Sequence, residues 1–237
     1  DQKLLDFQSG YYEKILKNAP GRYTTLIGSG DVMFISSDRF QNLPEADILI
    51  FGLWVDDAVA SRHGVFFSRR DQQEQLSFVR QKPSAEELRD LAHDYLYLMD
   101  SGIVLMNRDS TMKLMQRSGW QEEHQAFSGG MPGYYDLYSD MLTQFGAESA
   151  STDPDLAALS VKLIPLNEGE FYHFGSNSDL VESSLRLQNR IVDQRLKLAS
   201  QSENHPSIFQ QNSVVSFRFS KENHHIWIEN SHVPQSW

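Results

Sequence analysis

Apolar residues along the chain recur with two different periods, and their alternation predicts the class of fold. Residues 4–18 carry apolar side chains at helical spacing, and this run ends before Pro20 and Gly21. Residues 24–35 are apolar on both sides of Gly28-Ser29-Gly30-Asp31, which predicts a buried strand that runs into a tight turn. The continuous apolar run at 47–55 is typical of a strand that is covered on both faces. Further strands are predicted at 64–68, 75–83, 95–106, 159–166 and 170–175.

Helices are predicted between these strands. Ser84 and Glu87 form the S-x-x-E pattern of a capping box at the start of one helix. The clearest amphipathic pattern lies at 134–146, and a long helix is predicted from 178 to 198. Because helices separate the strands over residues 1–200, we predict an α/β domain with a mixed, mostly parallel sheet and flanking helices.

The tail from residue 201 onward has a different pattern. Short alternating segments at 213–220 and 225–230 predict strands with no helix between them. No long repeat is apparent. We therefore predict two domains, one over residues 1–200 and a separate β domain over 201–237.

Charge and composition narrow the class of partner. The 237 residues include 21 Lys+Arg and 32 Asp+Glu, which gives a net charge of −11. Nucleic acids and anionic membranes are bound by surfaces rich in Lys and Arg, so neither is an expected partner. The absence of cysteine excludes disulfides, thiolate zinc sites and cysteine nucleophiles. No apolar run approaches the roughly 20 residues of a membrane helix, and a soluble cytoplasmic protein is expected.

Candidate chemistry begins at the segment Gly28-Ser29-Gly30-Asp31. Glycine at positions 28 and 30 permits close approach of the backbone. Asp31 follows a buried strand, which is where open α/β sheets place ligand-binding groups. Mg²⁺ is usually bound by one or two carboxylates together with substrate phosphates, so a metal at Asp31 is one interpretation. The alternative is that the segment is simply a turn.

Three further positions could carry chemistry. Lys82 lies between an apolar strand and a helix, where it would either hold a phosphate or be solvated. Asp100 interrupts an apolar strand, which costs free energy unless something binds the carboxylate. His173 lies among aromatic residues, where it would be either a ligand contact or a core histidine. The chain has no P-loop, zinc-ligand spacing or nucleophile elbow.

The order of several short motifs adds to this interpretation. They are GSGDV at 28–32, GLWVD at 52–56, HGVF at 63–66, QKPS at 81–84, LMDSGI at 98–103, YYDLYSDM at 134–141, GEFYHFG at 169–175 and IWIENSHV at 226–233. In this order they resemble the fucose pyrophosphorylase region of the bifunctional L-fucokinase/GDP-L-fucose pyrophosphorylase family. The resemblance covers essentially the whole chain, and it extends more distantly to sugar nucleotidyltransferases in general.

The resemblance implies a fold and an activity. It implies a Rossmann-like nucleotidyltransferase domain followed by the start of a left-handed parallel β-helix. It also implies an enzyme that joins L-fucose 1-phosphate and GTP into GDP-L-fucose and pyrophosphate with Mg²⁺, next to a covalently linked L-fucose kinase. Such transfers are in-line displacements at a phosphate, which depend on positioning and charge neutralisation.

The resemblance also implies roles for single residues. Asp31 would hold the metal, and Lys82 would neutralise the sugar phosphate, which makes these two the expected catalytic residues. Gly30 and Gly64 would let the backbone approach the substrate.

Three further residues are implied on the sugar side. Asp100 and Gly102 match the position at which nucleotidyltransferases bind sugar hydroxyls. His173 stands where related enzymes often carry a second metal-binding Asp or Asn, and a role in substrate binding is expected for it.

One motif of the resembling enzymes has no counterpart. The nucleotide-binding loop G-G-x-S-x-R does not occur before Gly28, so we expect this chain to be catalytically inactive alone, as a fragment of a larger enzyme. Two alternatives stay open. One is a non-catalytic domain that binds a sugar phosphate or serves as a scaffold for a sugar kinase. The other is a pyrophosphorylase for a different 1-phosphosugar.

Overall fold

The computed structural model describes five stretches of the chain, which are residues 2–37, 40–167, 169–190, 207–220 and 222–237. They divide into two compact units, Asp1–Phe171 and Tyr172–Trp237. The predicted domain boundary between residues 200 and 201 lies outside the described residues and stays a prediction.

The first unit contains most of the regular structure. Its helices are α1 (Gln2–Asn18), α2 (Asp57–Ala60), α3 (Ala85–Leu91), α4 (Arg108–Arg117) and α5 (Pro154–Ala157). Its strands are β1 (Tyr23–Gly28), β2 (Val32–Ser36), β3 (Ile48–Leu53), β4 (Gly64–Arg69), β5 (Phe78–Gln81), β6 (Tyr95–Asn107), β7 (Trp120–Gln121), β8 (Ala126–Phe127) and β9 (Val161–Leu166), and β10 (Gly169–His173) spans the division between the units. None of the helices in the described part of the chain has the length and apolar character needed to cross a bilayer.

A six-stranded sheet forms the centre of the first unit. Five of its strands have the order β5-β4-β6-β3-β9, and β1 also pairs with β6. The strands β1, β3 and β4 all run antiparallel to β6, and β3 with β9 is the parallel pair of this sheet. The predicted mixed sheet with flanking helices is confirmed, but its mostly parallel pairing is wrong. The sequence pattern predicts that α3 connects β5 to β6. It does not predict that β4 lies between these two strands in the sheet.

Helices and loops cover both faces of this sheet, as the continuous apolar runs predict. In β3, Ile48 and Ile50 belong to one hydrophobic cluster, whereas Leu49 and Phe51 belong to the other, and all four are fully buried. Burial of one such side chain stabilises the fold by about 1.5–3 kcal/mol relative to its exposure. Strand β6 alternates in the same way, so the middle of the sheet is packed on both faces.

The segment 134–146, predicted as the clearest helix, is not a regular α-helix. It contains a short π-helix over Leu137–Met141 and a 3₁₀ turn over Leu142–Gln144. Its later apolar residues are buried as the pattern predicts, whereas Tyr134 is 89% exposed and Tyr138 is 46% exposed. A helical period therefore predicts the anchored end of the segment correctly and the tyrosine end wrongly.

The second unit contains α6 (Asn177–Gln188), β11 (Ile208–Gln211), β12 (Val214–Val215), β13 (Ile226–Glu229) and β14 (His232–Val233). β11 pairs in parallel with β13, and β12 pairs in parallel with β14. Ile208 lies beside Ile226, and Val214 lies beside His232, so both pairs have the same offset of 18 residues.

Side chains in the second unit follow this offset as well. The Asn212 amide donates a 2.7 Å hydrogen bond to the side-chain oxygen of Asn230, and both residues have left-handed φ angles of 45° and 49°. The rings of Phe209 and Trp227 lie 5.2 Å apart. The sequence analysis predicts no long repeat, and it overlooks this short one, in which IFQQNSVV recurs as IWIENSHV 18 residues later. The Asn-Ser pair in both copies was the signal.

Candidate active site

A gap along one side of β6 forms the candidate site. β1 and β4 lie end to end on this side, because Gly28 pairs with Ile103 whereas Val65 pairs with Met99. Neither ladder includes Asp100–Gly102. We call this gap the notch. It is defined by residues 28–31 at the end of β1 and just after it, by Gly64 at the start of β4 and by Asp100–Gly102 of β6.

A bulge in β6 shapes the floor of the notch. On the β3 side, Phe51 pairs with Ile103 and Gly52 pairs with Asp100, so Ser101 and Gly102 are extra residues of β6. The Ser101 hydroxyl donates a 2.7 Å hydrogen bond to the Phe51 carbonyl. Bulges bend a strand and change the direction of its side chains, and they are common beside active sites. The bulge therefore explains how an otherwise apolar strand presents a carboxylate.

Asp100 is a buried charged group of the notch. It is 7% exposed, and its Oδ1 atom accepts a 2.7 Å hydrogen bond from the Gly102 N–H. Burial raises the pKa of Asp100 to about 6, and the hydrogen bond from Gly102 opposes that shift. Asp100 is therefore mostly ionised at neutral pH, and its carboxylate can accept hydrogen bonds from hydroxyl groups of a ligand.

The glycines of the notch differ in what surrounds them. A Cβ atom at Gly64 would lie 3.2 Å from the Gln81 amide and 3.4 Å from the Cβ of Asp100. Gly102 has a φ of 73°, and a Cβ atom there would lie 2.6 Å from the Cβ of Ser29. A Cβ atom at Gly30 would meet no described atom within 4 Å. Gly64 and Gly102 thus keep the notch open next to Asp100, whereas Gly30 borders free space.

Asp31 is joined to the notch through Ser29. The Ser29 N–H donates a 2.9 Å hydrogen bond to the Gly102 carbonyl, and the Ser29 hydroxyl lies 2.5 Å from the Asp31 Oδ1 atom, to which it donates. The described residues contain no cluster of three or more side chains able to hold a metal ion. Mg²⁺ needs only one or two carboxylates when substrate phosphates complete its coordination, and the exposed Asp31 carboxylate fits that role.

Lys82 lies at the end of the β4–β5 hairpin beside the notch. Its N–H donates a 3.0 Å hydrogen bond to the carbonyl of His63, the residue before Gly64. Its φ angle is 49°, a left-handed conformation that is uncommon for residues other than glycine. Such strained residues cluster at functional sites, and the side chain of Lys82 is exposed.

Two residues of this site were missed by the sequence analysis. The Gln81 side chain, which lies beside Gly64, donates a 3.3 Å hydrogen bond to the Tyr138 carbonyl. The phenol of Tyr138 interacts with Ser29. Burial raises the pKa of Tyr138, the charges of Asp100 and Asp31 raise it further, and the hydrogen bond with Ser29 lowers it. The YYDLYSDM string was the available signal, but the helical period assigned Tyr138 to a buried face.

His173 lies in the second unit. Its Nδ1 atom is 3.2 Å from the Asp179 Oδ2 atom, to which the Ser176 hydroxyl also donates, at 2.7 Å. The Ser183 hydroxyl donates to the His173 carbonyl. Its imidazole thus pairs with a carboxylate in the first turn of α6, and its expected role in substrate binding stays a prediction.

Comparisons with known proteins give one close relative. The chain is 43% identical over 236 residues to the L-fucokinase/L-fucose-1-P guanylyltransferase of Bacteroides fragilis, and the match covers 100% of this chain and 24% of that relative. No family model matches the chain.

Solved structures of low similarity include two nucleotide-transferring enzymes. A UDP-glucose pyrophosphorylase from Acinetobacter baumannii has a TM-score of 0.42 at 12% identity, with 74% of this chain and 55% of that chain covered. The inositol-1-phosphate CTP transferase from T. maritima has a TM-score of 0.37 at 14% identity, with 71% and 56% covered. The expected resemblance to the bifunctional fucose enzymes is confirmed by the B. fragilis relative, of which this chain matches a partial region.

Proposed function

We propose that the chain is part of an enzyme that makes GDP-L-fucose from L-fucose 1-phosphate and GTP, joined covalently to an L-fucose kinase. The 43% identity to the B. fragilis L-fucokinase/L-fucose-1-P guanylyltransferase supports this proposal. The structural observation that carries it is the notch, because Asp31, Gly64, Asp100 and Gly102 come from distant parts of the chain and border one gap in the sheet.

The reaction requires charge neutralisation and positioning. A phosphate oxygen of the sugar 1-phosphate would attack the α-phosphorus of GTP, the α–β phosphoanhydride bond would break, and pyrophosphate would leave. Asp31 would hold Mg²⁺, which supplies positive charge to the phosphates when it is bound. Lys82 would neutralise the phosphate of the sugar as a point charge.

The buried part of the notch would bind the sugar. The Asp100 carboxylate would accept hydrogen bonds from sugar hydroxyls, and a ligand that lacks such a hydroxyl would leave this buried carboxylate with one hydrogen bond fewer. Gly64 and Gly102 would leave space for the sugar ring, and Gly30 would permit the phosphates to approach Asp31. His173 would contact the substrate as the resemblance implies.

The proposed fold is a Rossmann-like nucleotidyltransferase domain over 1–200, followed by the start of a left-handed parallel β-helix over 201–237. The repeat in the second unit supports the second part. β11 and β12 begin six residues apart, β13 and β14 also do, and each pair stacks on the other at the same offset. Hexapeptide spacing with parallel stacking is typical of parallel β-helices. A cytoplasmic enzyme without nucleic acid or membrane partners belongs to the same proposal.

Replacement of Asp31 tests the proposed activity in the full-length protein. We expect Asp31→Ala to lower GTP-dependent pyrophosphate release with L-fucose 1-phosphate by about 10³-fold, as losses of essential charge-stabilising groups do. Phosphorylation of L-fucose by ATP should not change. The matched control is Asp71→Ala, which removes an exposed carboxylate in the turn between β4 and β5.

Four outcomes would contradict parts of the proposal. Full activity of Asp31→Ala would show that the metal is held elsewhere. A wild-type protein that releases no pyrophosphate would support a scaffold role beside a kinase, and higher activity with another 1-phosphosugar would correct the substrate. Pyrophosphate release by the isolated 237-residue chain would overturn the expectation that it is inactive alone.

A further inference from the structure

The YYDLYSD motif builds a loop that is fixed by its own side chains. The Tyr134 hydroxyl donates to the Asp136 Oδ2 atom at 3.0 Å, and the Tyr135 hydroxyl donates to the Asp140 carbonyl at 3.0 Å. The Asp140 Oδ2 atom accepts a 2.9 Å hydrogen bond from the Asp136 N–H. These bonds join both ends of the motif, so its backbone has little freedom.

The same motif starts the π-helix at Leu137. The Asp136 Oδ1 atom accepts hydrogen bonds from the N–H groups of Tyr138 and Ser139, at 2.8 and 2.7 Å. Met141 and Leu142 then anchor the far end in the core of the unit. Short π-helices are rare and are frequent at functional sites. The segment is thus a rigid support that holds Tyr138, the second residue of the π-helix, in one place.

That place is the notch. Gln81, beside Gly64, holds the Tyr138 carbonyl, and the phenol interacts with Ser29 and lies near Asp100 and Asp31. Tyr138 is nevertheless 46% exposed. A tyrosine that only packed in the core would be buried, whereas a substrate-binding tyrosine keeps part of its ring and its hydroxyl accessible.

We propose that Tyr138 is a further substrate-binding residue, whose phenol donates a hydrogen bond to a hydroxyl of the sugar 1-phosphate while Asp100 accepts one from another hydroxyl. This inference rests on the proposed function. A tyrosine phenol carries its proton at neutral pH, so Tyr138 can donate a hydrogen bond there. A donor and an acceptor that bind different hydroxyl groups distinguish sugars by the positions of those groups more strictly than a single carboxylate does.

The test compares Tyr138→Phe with wild type in the full-length protein. Removal of one neutral hydrogen bond corresponds to about a 5- to 10-fold rise in the KM for L-fucose 1-phosphate. The KM for GTP and kcat should stay within about 2-fold of wild type, since the ring and the loop are retained. Tyr134→Phe is the matched control, because it removes an exposed phenol of the same motif and leaves the hydrogen bonds from the N–H groups of Tyr138 and Ser139 to Asp136 in place.

Analogues of L-fucose 1-phosphate that each lack one hydroxyl identify the contact. For the analogue that lacks the hydroxyl bound by Tyr138, wild type and Tyr138→Phe should have equal KM values. A merely structural role of the phenol would raise KM by the same factor for every analogue, and this result would overturn the inference.

The failure of this inference differs from the failure of the proposed function. An active wild type and a Tyr138→Phe variant with identical KM values would overturn the role of Tyr138 alone. An equal rise in KM for GTP, or the same effect in Tyr134→Phe, would also overturn it. A wild type without any sugar 1-phosphate-dependent pyrophosphate release would overturn the proposed function and this inference together.

Discussion

Strands pair with β6 on both of its sides, but the pairing is nearly continuous on one side and interrupted on the other. On one side β3 pairs with β6 from Met99 to Met106, interrupted only by the bulge at Ser101 and Gly102. On the other side the position is shared by two strands, β1 and β4, and the notch lies where neither continues. The polar site therefore lies where β6 lacks a strand partner on one side, within a sheet that is otherwise buried and continuously paired.

Asp100 has a glycine on each side, and the two glycines show the same contrast. Gly52 is its partner in β3, where a Cβ atom would lie 2.6 Å from the Leu98 Cβ and 3.1 Å from the Met99 carbonyl oxygen. Gly64 lies on the notch side, where a Cβ atom would meet the flexible amide of Gln81. We therefore expect Gly52 to matter for stability and Gly64 to matter for substrate binding.

The largest effect is expected on the continuous side. In Gly52→Ala, the new methyl group would overlap with the rigid Leu98 Cβ, and we expect the free energy of unfolding to fall by about 3 kcal/mol. Urea unfolding followed by circular dichroism measures this. The KM of the folded enzyme for the sugar 1-phosphate should not change. A loss below about 0.5 kcal/mol would show that Gly52 is as tolerant as an ordinary surface site, and would contradict the contrast between the two sides of β6.

The second effect is expected on the notch side. Gly64→Ala should lower the free energy of unfolding by less than about 1 kcal/mol, since the Gln81 amide can move aside. The methyl group would occupy space beside Asp100, so the KM for L-fucose 1-phosphate should rise about 10-fold, which corresponds to about 1.4 kcal/mol. Steady-state kinetics of the full-length protein, with unfolding measured in parallel, tests both parts. A variant that loses stability but keeps its KM would reverse the assignment of the two glycines.

The smallest effect concerns the charge between the two glycines. Because burial raises the pKa of Asp100 from 3.8 to about 6, the folded protein holds, between these two pH values, a proton that the unfolded chain has released. The stability from this protonation is fully present below the unfolded pKa and is lost as pH rises through about 6. Asp100→Asn removes this titration. The free energy of unfolding of Asp100→Asn, relative to that of wild type, should therefore increase by about 1 kcal/mol between about pH 5 and about pH 8.

Urea unfolding of both proteins at several pH values measures this difference. The Gly64→Ala protein should retain the same pH dependence as wild type, because it keeps the carboxylate. Parallel pH profiles for wild type and Asp100→Asn would mean that Asp100 is solvated, and the notch would then lack its buried charge.

The sequence predicts those features that depend on burial alone. The runs around β3 and β6 are apolar on both faces, so their existence and their place in the core follow from composition. Asp100 is noticeable because it interrupts such a run. The positions of Asp31 and Gly64 beside it depend on the resemblance and on strand order, and strand order is set by long-range pairing that local patterns do not record.

Two regions of the molecule do not follow from the helix and strand periodicity of the sequence. Tyr138 satisfies a helical period, but side-chain hydrogen bonds from Asp136 fix a different local geometry and leave the ring at the surface. The repeat in the second unit has a period longer than any helix or strand pattern. It becomes visible only when Asn212 and Asn230 are compared across 18 residues.

Because paired strands in the second unit are offset by 18 residues, the number of residues between them is a stricter requirement than the identity of those residues. A single deletion between β12 and β13 would shift every later residue by one position, so the residues that stack on Phe209 and Asn212 would no longer be Trp227 and Asn230. A shift of one position would also exchange the two faces of the strands. An insertion or deletion between β12 and β13 therefore disrupts both parallel pairings unless a loop outside the strands accommodates it.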